Sequence, residues 1–459
     1  MADYQLIIIG GGLSGLAAGI RSARFGRKTL ILEQHHLPGG LNSYYFRHGH
    51  LLETGLHAMT NYAEPGDRHA PLNRLWRQLK LSRKQFATHR QLASEIVFPR
   101  ASLTFSNDFD DLLSSVRQNF PAVTRRFLTM TGKIREYDPF SDVPRRSARD
   151  FLRHHLNEPL LEDMLLLPLM VYGNAEEHDM DLGQFVIMFR ALFLEGFFRP
   201  RGTIREFLDL LVSHYRHYDG ELRFRAPVRR IFGHGDKIHG VELEDGERLT
   251  GDAVLSTIGL PGTIFLSGWN ADEESYTGRM SFMETIVMLP ADSLPRLRHD
   301  RTIIFYNTGK RLNYQRPDDA VDPTWGVICF PHNFEGLPIP DPLQIRITNA
   351  ANYAVWQRAE GEAYRQLKEE CIARSREVVM KIIGNYGPDV VYQDSFTPLT
   401  IERFTAKAAG AVYGSPVKIK SGRTPWKNLF IAGTDQGYLG IVGAMLSGVT
   451  IVNQHILQA

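Results

Sequence analysis

The chain has 459 residues, enough for two or three domains with a sizeable core. Hydrophobic residues make up 43% and charged residues 23%, as in ordinary globular proteins, and a formal net charge of +2 gives no electrostatic case for nucleic-acid binding. The two cysteines, Cys329 and Cys371, lie far apart, which argues against a disulfide framework and a zinc site. No apolar run reaches about 18 residues, and "MADYQLIIIGGG" lacks the basic region and cleavage site of a signal peptide, so we expect a cytoplasmic protein.

The first motif in the chain is a strand that runs into a glycine-rich turn. "YQLIIIG" predicts a buried parallel strand, and Gly10, Gly12 and Gly15 follow in the pattern G-x-G-x-x-G. "LSGLAAGIRSARFG" then predicts a helix, and "KTLILE" predicts a second strand that ends at Glu33. Gly10 allows the tight turn, Gly12 lets the backbone approach a pyrophosphate, and Gly15 allows close packing of helix on strand. Glu33 stands where an acid binds an adenosine ribose, so the order predicts a dinucleotide site at the helix N-terminus.

The next stretch, "LPGGLNSYYFRHGHLLETGLHAMT", favours FAD over NAD. Its G-G-x-x-S at residues 39–43 resembles the second fingerprint of FAD proteins of the amine oxidase and phytoene desaturase superfamily, usually G-G-R-x-x-S/T. Leu41 replaces the arginine that lies near the pyrophosphate and flavin in that superfamily. Glu53 and Gly55 fill the acid-x-G of the strand that passes beneath the isoalloxazine in the same proteins.

Two later segments carry the same resemblance. "NLFIAGTDQGYLGIVGAMLSGVTIVNQHIL" resembles the C-terminal FAD motif, in which Asp435 would bind the ribityl or pyrophosphate region. The turn "GIVGA", residues 440–444, would place backbone N–H groups at a helix start against the flavin carbonyl. In "APVRRI" the resemblance implies that the backbone of Val228 contacts adenine.

The resemblance therefore implies FAD as the cofactor and a set of residues that bind it. These residues are Gly10, Gly12, Leu13, Ser14, Gly15, Glu33, Gln34, Gly39, Gly40, Leu41, Asn42, Ser43, Gly55, Leu56, His57, Val228, Gly433, Asp435, Ile441, Val442 and Gly443. The implied fold is α/β: a Rossmann-like FAD-binding domain of the glutathione reductase type with an inserted α+β substrate domain. No second G-x-G-x-x-G occurs in the sequence, so we expect no separate NAD domain.

The expected FAD domain is discontinuous and comprises residues 1–70, 200–265 and 395–459. The pattern of residues 71–199 predicts a helical insertion, and that of residues 266–394 an insertion of strands followed by a long helix. We expect the two insertions to form the substrate region.

Within the superfamily, the chain is identified as a member of the phytoene desaturase, carotenoid isomerase and retinol saturase group. "ETGLH", residues 53–57, resembles the D-T-G-x-H of retinol saturases, and "GAVYG", residues 410–414, resembles their late G-A-x-Y-G segment. The resemblance implies hydride transfer at flavin N5 to or from the C–C or C=C bonds of an apolar polyene or isoprenoid lipid. Desaturation, saturation and cis–trans isomerisation all stay open at this point, as do the substrate and the external electron acceptor or donor.

Two alternatives come from other classes of protein. The first is an amine oxidase- or protoporphyrinogen oxidase-like enzyme that uses O2, against which the missing arginine at Leu41 argues. The second is a non-catalytic prenyl-binding protein of the GDP-dissociation-inhibitor type, against which the intact glycine turn and Glu33 argue.

The catalytic candidate is His57, which would polarise or protonate substrate near the flavin; the alternative is a histidine merely hydrogen-bonded beside the cofactor. Glu53 is expected to be structural. Residues 182–198, "LGQFVIMFRALFLEGFF", are either core or the wall of a lipid tunnel or membrane-docking surface. No carboxylate or cysteine completes a ligand set with the neighbouring histidines, so no metal site is expected.

Overall fold

The computed structural model describes residues 2–141 and 143–458, which form two seven-stranded sheets, two small two-stranded sheets and the helices around them. The strands in chain order are β1 Tyr4–Ile9, β2 Thr29–Leu32, β3 Tyr44–Arg47, β4 His50–Glu53, β5 Thr88–Arg90, β6 Ser94–Phe98, β7 Ala101–Phe105, β8 Phe198–Pro200, β9 Glu221–Arg223, β10 Val228–His234, β11 Lys237–Leu243, β12 Arg248–Ser256, β13 Ser281–Leu289, β14 Ile303–Asn307, β15 Val321–Cys329, β16 Leu343–Ala351, β17 Tyr392–Phe396 and β18 Leu429–Ile431. The helices are α1 Leu13–Ala23, α2 Pro71–Leu79, α3 Phe109–Asn119, α4 Thr124–Glu136, α5 Ala148–His155, α6 Pro159–Gly173, α7 Leu182–Phe189, α8 Ile204–His217, α9 Leu260–Ser267, α10 Glu273–Tyr276, α11 Tyr353–Arg358, α12 Gly361–Ile383, α13 Pro398–Thr405 and α14 Gly440–Ile451.

The first sheet is the Rossmann-like part of the fold. Its strand order is β10-β11-β12-β1-β2-β9, with β18 beside β12. The five strands β9, β2, β1, β12 and β18 run parallel, while β10 and β11 form an antiparallel meander with β12. Because helices cover a parallel sheet on both faces, β1 and β2 are buried and almost wholly apolar. The predicted α/β class is confirmed.

The turn between β1 and α1 has the shape that the glycine pattern predicts. Gly10 has a φ of +105°, which favours glycine. A Cβ on Gly15 would lie 2.0 Å from the Gly10 carbonyl oxygen, so the helix can approach the turn only without a side chain there. A Cβ on Gly448 of α14 would lie 2.1 Å from the Ser14 carbonyl oxygen. Because these glycines have no side chain, segments near the two ends of the chain can pack against each other.

The second sheet has the order β17-β13-β16-β15-β14-β6-β7. Neighbouring strands are antiparallel except β14 and β6, which are parallel. Strands β6 and β7 come from residues 71–199, so this segment is not helical throughout as its pattern predicted. The five-residue strands of this hairpin are too short for their periodicity to stand out between helices, and β6 gains its parallel partner only from residues 303–307. The division of the chain into domains stays a prediction.

Residues 182–198 belong to the core. Asp181 caps α7 by accepting hydrogen bonds from the N–H groups of Gly183 and Gln184. Phe185 and Phe189 are fully buried in a cluster that also holds the apolar side chains of α6. Every residue of this segment is described, and none lines the cavity presented below. Core packing therefore explains it, and neither a tunnel wall nor a membrane surface does.

None of the helices in the described part of the chain is long and apolar enough to cross a membrane.

Candidate active site

A cavity of about 1460 Å³ lies where the two large sheets meet. The carboxyl ends of β1 and β2 line one side, and residues of β13, β16 and β17 line the other. Its volume exceeds the roughly 300–1,000 Å³ of a typical small-molecule site, which leaves room for more than one bound group. We call the part around Gly12, Ser14 and Glu33 the nucleotide end, and the part around His57 and Glu284 the acid–base end.

The nucleotide end presents unpaired hydrogen-bond donors. The Ser14 hydroxyl is buried, lines the cavity and has no hydrogen-bond partner among residues 2–141 and 143–458. Helix α1 begins there, with Gly12 as its N-cap and, in this described region, neither a side-chain cap nor an acidic residue in its first turn. A Cβ on Gly12 would meet nothing closer than 4.0 Å, because that side of the glycine is open. Free N–H groups and an orphan hydroxyl at a helix N-terminus suit a phosphate.

Glu33 is held by the backbone around it. Its carboxylate accepts hydrogen bonds from the N–H of Gly11 at 2.7 Å and from the N–H of His35 at 2.8 Å. Burial raises the pKa of Glu33, and the backbone N–H donors oppose that shift. Each carboxylate oxygen retains a lone pair for a ribose hydroxyl. The N–H of Ala226 donates a hydrogen bond to the Glu33 carbonyl, which holds the two segments together. Val228, two residues further on, therefore lines the cavity close to Glu33. The residues present at this end fit FAD.

Most of the predicted cofactor residues line this cavity. They are Gly10, Gly12, Leu13, Ser14, Glu33, Gln34, Gly39, Gly40, Leu41, Asn42, Ser43, Gly55, His57, Val228, Gly433 and Ile441. The other five predicted residues, all within the described chain, do not line it: Gly15, Leu56, Asp435, Val442 and Gly443. On α14, Gly440, Ile441 and Ala444 face the cavity, and the helix turns residues 442 and 443 away from it.

Asp435 has a structural role in the described chain. Its buried carboxylate accepts hydrogen bonds from the N–H of Leu260 at 2.6 Å and from the N–H of Ser415 at 2.8 Å. Leu260 is the first residue of α9, so the carboxylate interacts with a helix N-terminus, where negative charge is favourable. The side chain ties the start of α9 to the loop at Ser415, and its binding of the ribityl or pyrophosphate region stays a prediction.

Two buried arginines fix the backbone that carries His57. The Leu56 carbonyl accepts hydrogen bonds from Arg199 at 3.0 Å and from Arg346 at 3.0 Å. Arg199 also pairs with Glu53, whose other oxygen accepts the N–H of Ile204 at 2.7 Å. Glu53 is thus structural, as expected. Side chains from distant segments hold the 53–57 loop in one conformation.

The acid–base end centres on a chain of three side chains. His57 Nε2 lies 2.9 Å from Glu284 Oε2, and His57 Nδ1 lies 3.2 Å from the Tyr172 hydroxyl. Arg346 pairs with the other Glu284 oxygen, and Thr348 donates to Oε2 at 3.1 Å. A carboxylate only accepts hydrogen bonds, so we assign the hydrogen to Nε2 and leave Nδ1 facing the hydroxyl.

The charges of this chain determine its protonation. Burial pushes the pKa of Glu284 upward, but Arg346 and His57 outweigh burial and hold that pKa below its ordinary value. Burial raises the pKa of Tyr172 well above its ordinary value. At neutral pH the carboxyl is ionised and the phenol holds its proton. A buried charge pair beside a neutral phenol is an arrangement that can hold or release one proton.

Apart from these polar groups, the wall beside His57 is apolar or aromatic. Its residues are Ala58, Val171, Phe282, Val412, Tyr413, Ile441 and Ala444. The Tyr413 hydroxyl is occupied, because it donates to the Val171 carbonyl at 2.5 Å. This end can therefore hold an apolar group against a small number of polar atoms.

Sequence analysis found His57 but missed Tyr172, Glu284 and Arg346. The last two each stand as a single charge in an otherwise uncharged, buried strand, "SFMETIVML" and "LQIRITNAA". A lone charge in a buried strand is costly unless it is paired, and this signal could have identified both. Tyr172 lies in an apolar helix and carries no such signal.

Comparison with known proteins identifies the family. A family model described as flavin containing amine oxidoreductase matches residues 13–263, more than half of the chain. The chain belongs to this family. It is therefore an FAD-dependent oxidoreductase, which agrees with the fit of the nucleotide end.

Two relatives of low sequence identity align with nearly the whole of this flavoenzyme. All-trans-retinol 13,14-reductase of Danio rerio is 23% identical, with 99% of this chain and 87% of the relative covered. The chloroplastic prolycopene isomerase of Arabidopsis thaliana is 20% identical, with 90% of this chain and 74% of the relative covered. An oxidoreductase from Methanosarcina mazei has the same fold, with a TM-score of 0.66 and 15% identity over 98% of this chain and 100% of that chain.

Proposed function

We propose that this flavoenzyme transfers hydride between FAD and a C–C or C=C bond of an apolar polyene or isoprenoid lipid. The observation that carries the proposal is the acid–base end, where the hydrogen-bonded side chains of Glu284, His57 and Tyr172 lie beside apolar residues. The two relatives, a retinol reductase and a prolycopene isomerase, support this substrate class. A cytoplasmic location with contact to a membrane surface, and an external electron acceptor or donor, belong to the same proposal.

The residues at the acid–base end have separate roles in this proposal. The apolar wall binds the chain and excludes water from the reacting bond. Glu284 positions His57 through Nε2, and His57 Nδ1 exchanges a proton with the Tyr172 hydroxyl. In desaturation the Tyr172 oxygen takes a proton from a substrate carbon as its own proton passes to His57 Nδ1. In saturation these steps run in reverse, starting from a His57 that carries a proton on both ring nitrogens. Bound FAD supplies the hydride donor or acceptor at flavin N5.

The experiment is an anaerobic spectrum of the purified holoprotein with a panel of polyenes, with products followed by chromatography. Bleaching of oxidised flavin by substrate identifies a desaturase, and reoxidation of reduced flavin with a more saturated product identifies a saturase. A changed double-bond geometry that needs reduced flavin, without net electron transfer, identifies an isomerase. A flavin that amines reduce and polyenes do not would overturn the proposal in favour of an amine oxidase-like enzyme.

A matched pair of variants tests the proton route. Tyr172→Phe removes the hydroxyl next to His57. We expect the desaturated or saturated product to form about 10²–10⁴-fold more slowly, with flavin content unchanged. Tyr413→Phe removes a hydroxyl from the same wall that is bound to a backbone carbonyl, so its turnover should stay within about threefold of wild type. Equal effects of the two substitutions would contradict the assigned role of Tyr172.

A further inference from the structure

Three cationic side chains line a part of the cavity that neither the flavin site nor the acid–base end uses. Arg47 ends β3, and Arg365 and Lys368 lie three residues apart on α12. The side chains of Arg47 and Arg365 are more than half exposed, so this part opens to solvent. We call these three residues the basic mouth.

Two carboxylates neutralise charge at the basic mouth: Asp394 pairs with Arg47, and Glu362 pairs with Arg365. Asp394 of β17 is buried and accepts hydrogen bonds from the Tyr45 hydroxyl at 2.9 Å, from Arg47 at 3.2 Å and from the N–H of Ser395 at 2.8 Å. These donors occupy most of the lone pairs of the two oxygens. Asp394 therefore neutralises Arg47 and has little capacity for a second cation.

Lys368 is left without a hydrogen-bond acceptor. Its Nζ lies 3.9 Å from Asp394 Oδ1, which is too long for a hydrogen bond, and the described residues offer it no other acceptor. Its side chain is 23% exposed. Burial lowers the pKa of Lys368, Asp394 opposes that shift, and Arg47 adds to it. The ammonium group therefore retains N–H donors that water or a ligand acceptor can use.

The mouth also carries apolar surface that continues into the cavity. Its lining includes Tyr45, Phe46, Tyr364, Phe396 and Leu399. Phe46 is 56% exposed, although large apolar side chains are more often buried. A cation with free N–H donors among aromatic side chains matches a ligand with a charged end and an apolar body.

We propose that the basic mouth binds the anionic end, a carboxylate or a phosphate, of a ligand whose apolar chain lies in the cavity. Lys368 is its main partner. Arg47, paired with Asp394, and Arg365, paired with Glu362, lie beside it. The inference rests on the proposed function for the apolar chain and names a narrower substrate class, an acidic polyene or isoprenoid.

The sheet register places this anionic end near the reacting bond. Glu284 of β13 lies opposite Phe396, and Ile286 lies opposite Asp394. Two residues along a strand span about 7 Å. The anionic end therefore lies about two strand residues along the sheet from Glu284, the residue that positions His57.

Equilibrium binding to the holoenzyme tests the proposal without relying on turnover. The probes are two matched pairs: all-trans-retinoate with all-trans-retinol, and geranylgeranyl phosphate with geranylgeraniol. We expect at least one anion to bind about tenfold or more tightly than its alcohol at low salt, and the difference to shrink as salt is added. In Lys368→Met this preference should disappear while the affinity for the alcohol and the flavin content stay unchanged.

Two further variants control the result. Lys368→Arg keeps the charge and should keep the preference for the anion. Lys381→Met removes an exposed lysine of the same helix and should behave as wild type.

The outcomes separate this inference from the proposed function. Equal binding of anion and alcohol would overturn the anion-binding role of the basic mouth. The proposed polyene substrate would be unaffected. Binding of neither member of either pair overturns both. Loss of flavin from Lys368→Met overturns the inference alone, because the lysine would then serve the cofactor.

Discussion

The two ends of the cavity are built in different ways. The nucleotide end presents backbone N–H groups, glycines and the Ser14 hydroxyl, all supplied by short stretches of continuous chain. The acid–base end presents charged and polar side chains, and its members His57, Tyr172, Glu284 and Arg346 come from four separate segments. The nucleotide end depends on the absence of side chains, whereas the acid–base end depends on these particular side chains being present.

This difference predicts different responses to mutation. An added side chain at the nucleotide end should remove the ligand and leave the fold intact. A removed side chain at the acid–base end should leave a buried charge unpaired and weaken activity and stability together. Three substitutions test this contrast, and a fourth, at Glu195, examines a buried carboxyl outside both ends.

The largest effect is expected from Gly12→Val. The protein itself leaves open space beside Gly12, so valine is tolerated there, but its side chain would occupy the position of the pyrophosphate. We expect a folded protein that has lost flavin, measured by absorbance after purification and by circular dichroism. Gly66→Val, where a Cβ likewise meets nothing within 4 Å, is the control and should retain flavin. A flavin-replete Gly12→Val protein would show that the phosphates lie elsewhere.

Glu284→Gln comes next. The amide keeps the shape of the side chain but removes the charge that holds the hydrogen on His57 Nε2. We expect turnover to fall about 10²-fold and the pH profile of kcat to shift, with flavin content unchanged. Glu242→Gln, on the surface meander, should leave both unchanged. A drop in rate with an unshifted pH profile would point to a packing role for Glu284 instead.

Arg346→Met addresses stability. The fully buried Arg346 pairs with Glu284, and its removal leaves that carboxylate unpaired. The free energy of unfolding should fall by about 3–5 kcal/mol, measured by chemical denaturation. The exposed pair of Arg374 and Asp319 provides the control, and Arg374→Met should cost less than about 1 kcal/mol. Similar losses in the two variants would remove the distinction between the buried network and the surface.

The smallest effect concerns Glu195, a carboxyl outside both ends that accepts a hydrogen bond from Asn61 at 2.8 Å. Burial raises its pKa to about 7, and Asn61 and Arg190 oppose the shift. Because its folded-state pKa is raised, its contribution to stability is present below pH 4.5 and is lost as the pH rises through about 7. Glu195→Gln should therefore be more stable than wild type at pH 8, by about 1–3 kcal/mol, and nearly equal to it at pH 4.

Thermal denaturation across pH 4–8 measures this difference. Glu284 has the opposite sign, because its pKa is lowered and its contribution is lost as the pH falls. A Glu195→Gln curve parallel to that of wild type would show that Glu195 does not titrate in this range.

The sequence by itself determined the nucleotide end. The strand β1, the glycine turn, α1 and Glu33 lie within 33 consecutive residues, and each is dictated by local chemistry: apolar runs, positive φ and close backbone contact. The α/β class, the flavin and the branch of relatives followed from the same short motifs and those at residues 428–457. Local patterns also predicted the helices of residues 108–173, because their apolar periodicity is long enough to be read directly.

Only the tertiary structure decided the acid–base end and the role of Asp435. Glu284 and Arg346 lie on neighbouring antiparallel strands, 62 residues apart in the chain, and meet because β13 and β16 are in register. Asp435 joins the start of α9 to the loop at Ser415, because both N–H groups lie where its side chain points. The strands β6 and β7 were not predicted either, because β6 pairs with β14, which lies much later in the chain. Long-range pairing determines which polar side chains become neighbours, and a single sequence carries no local signal of that pairing.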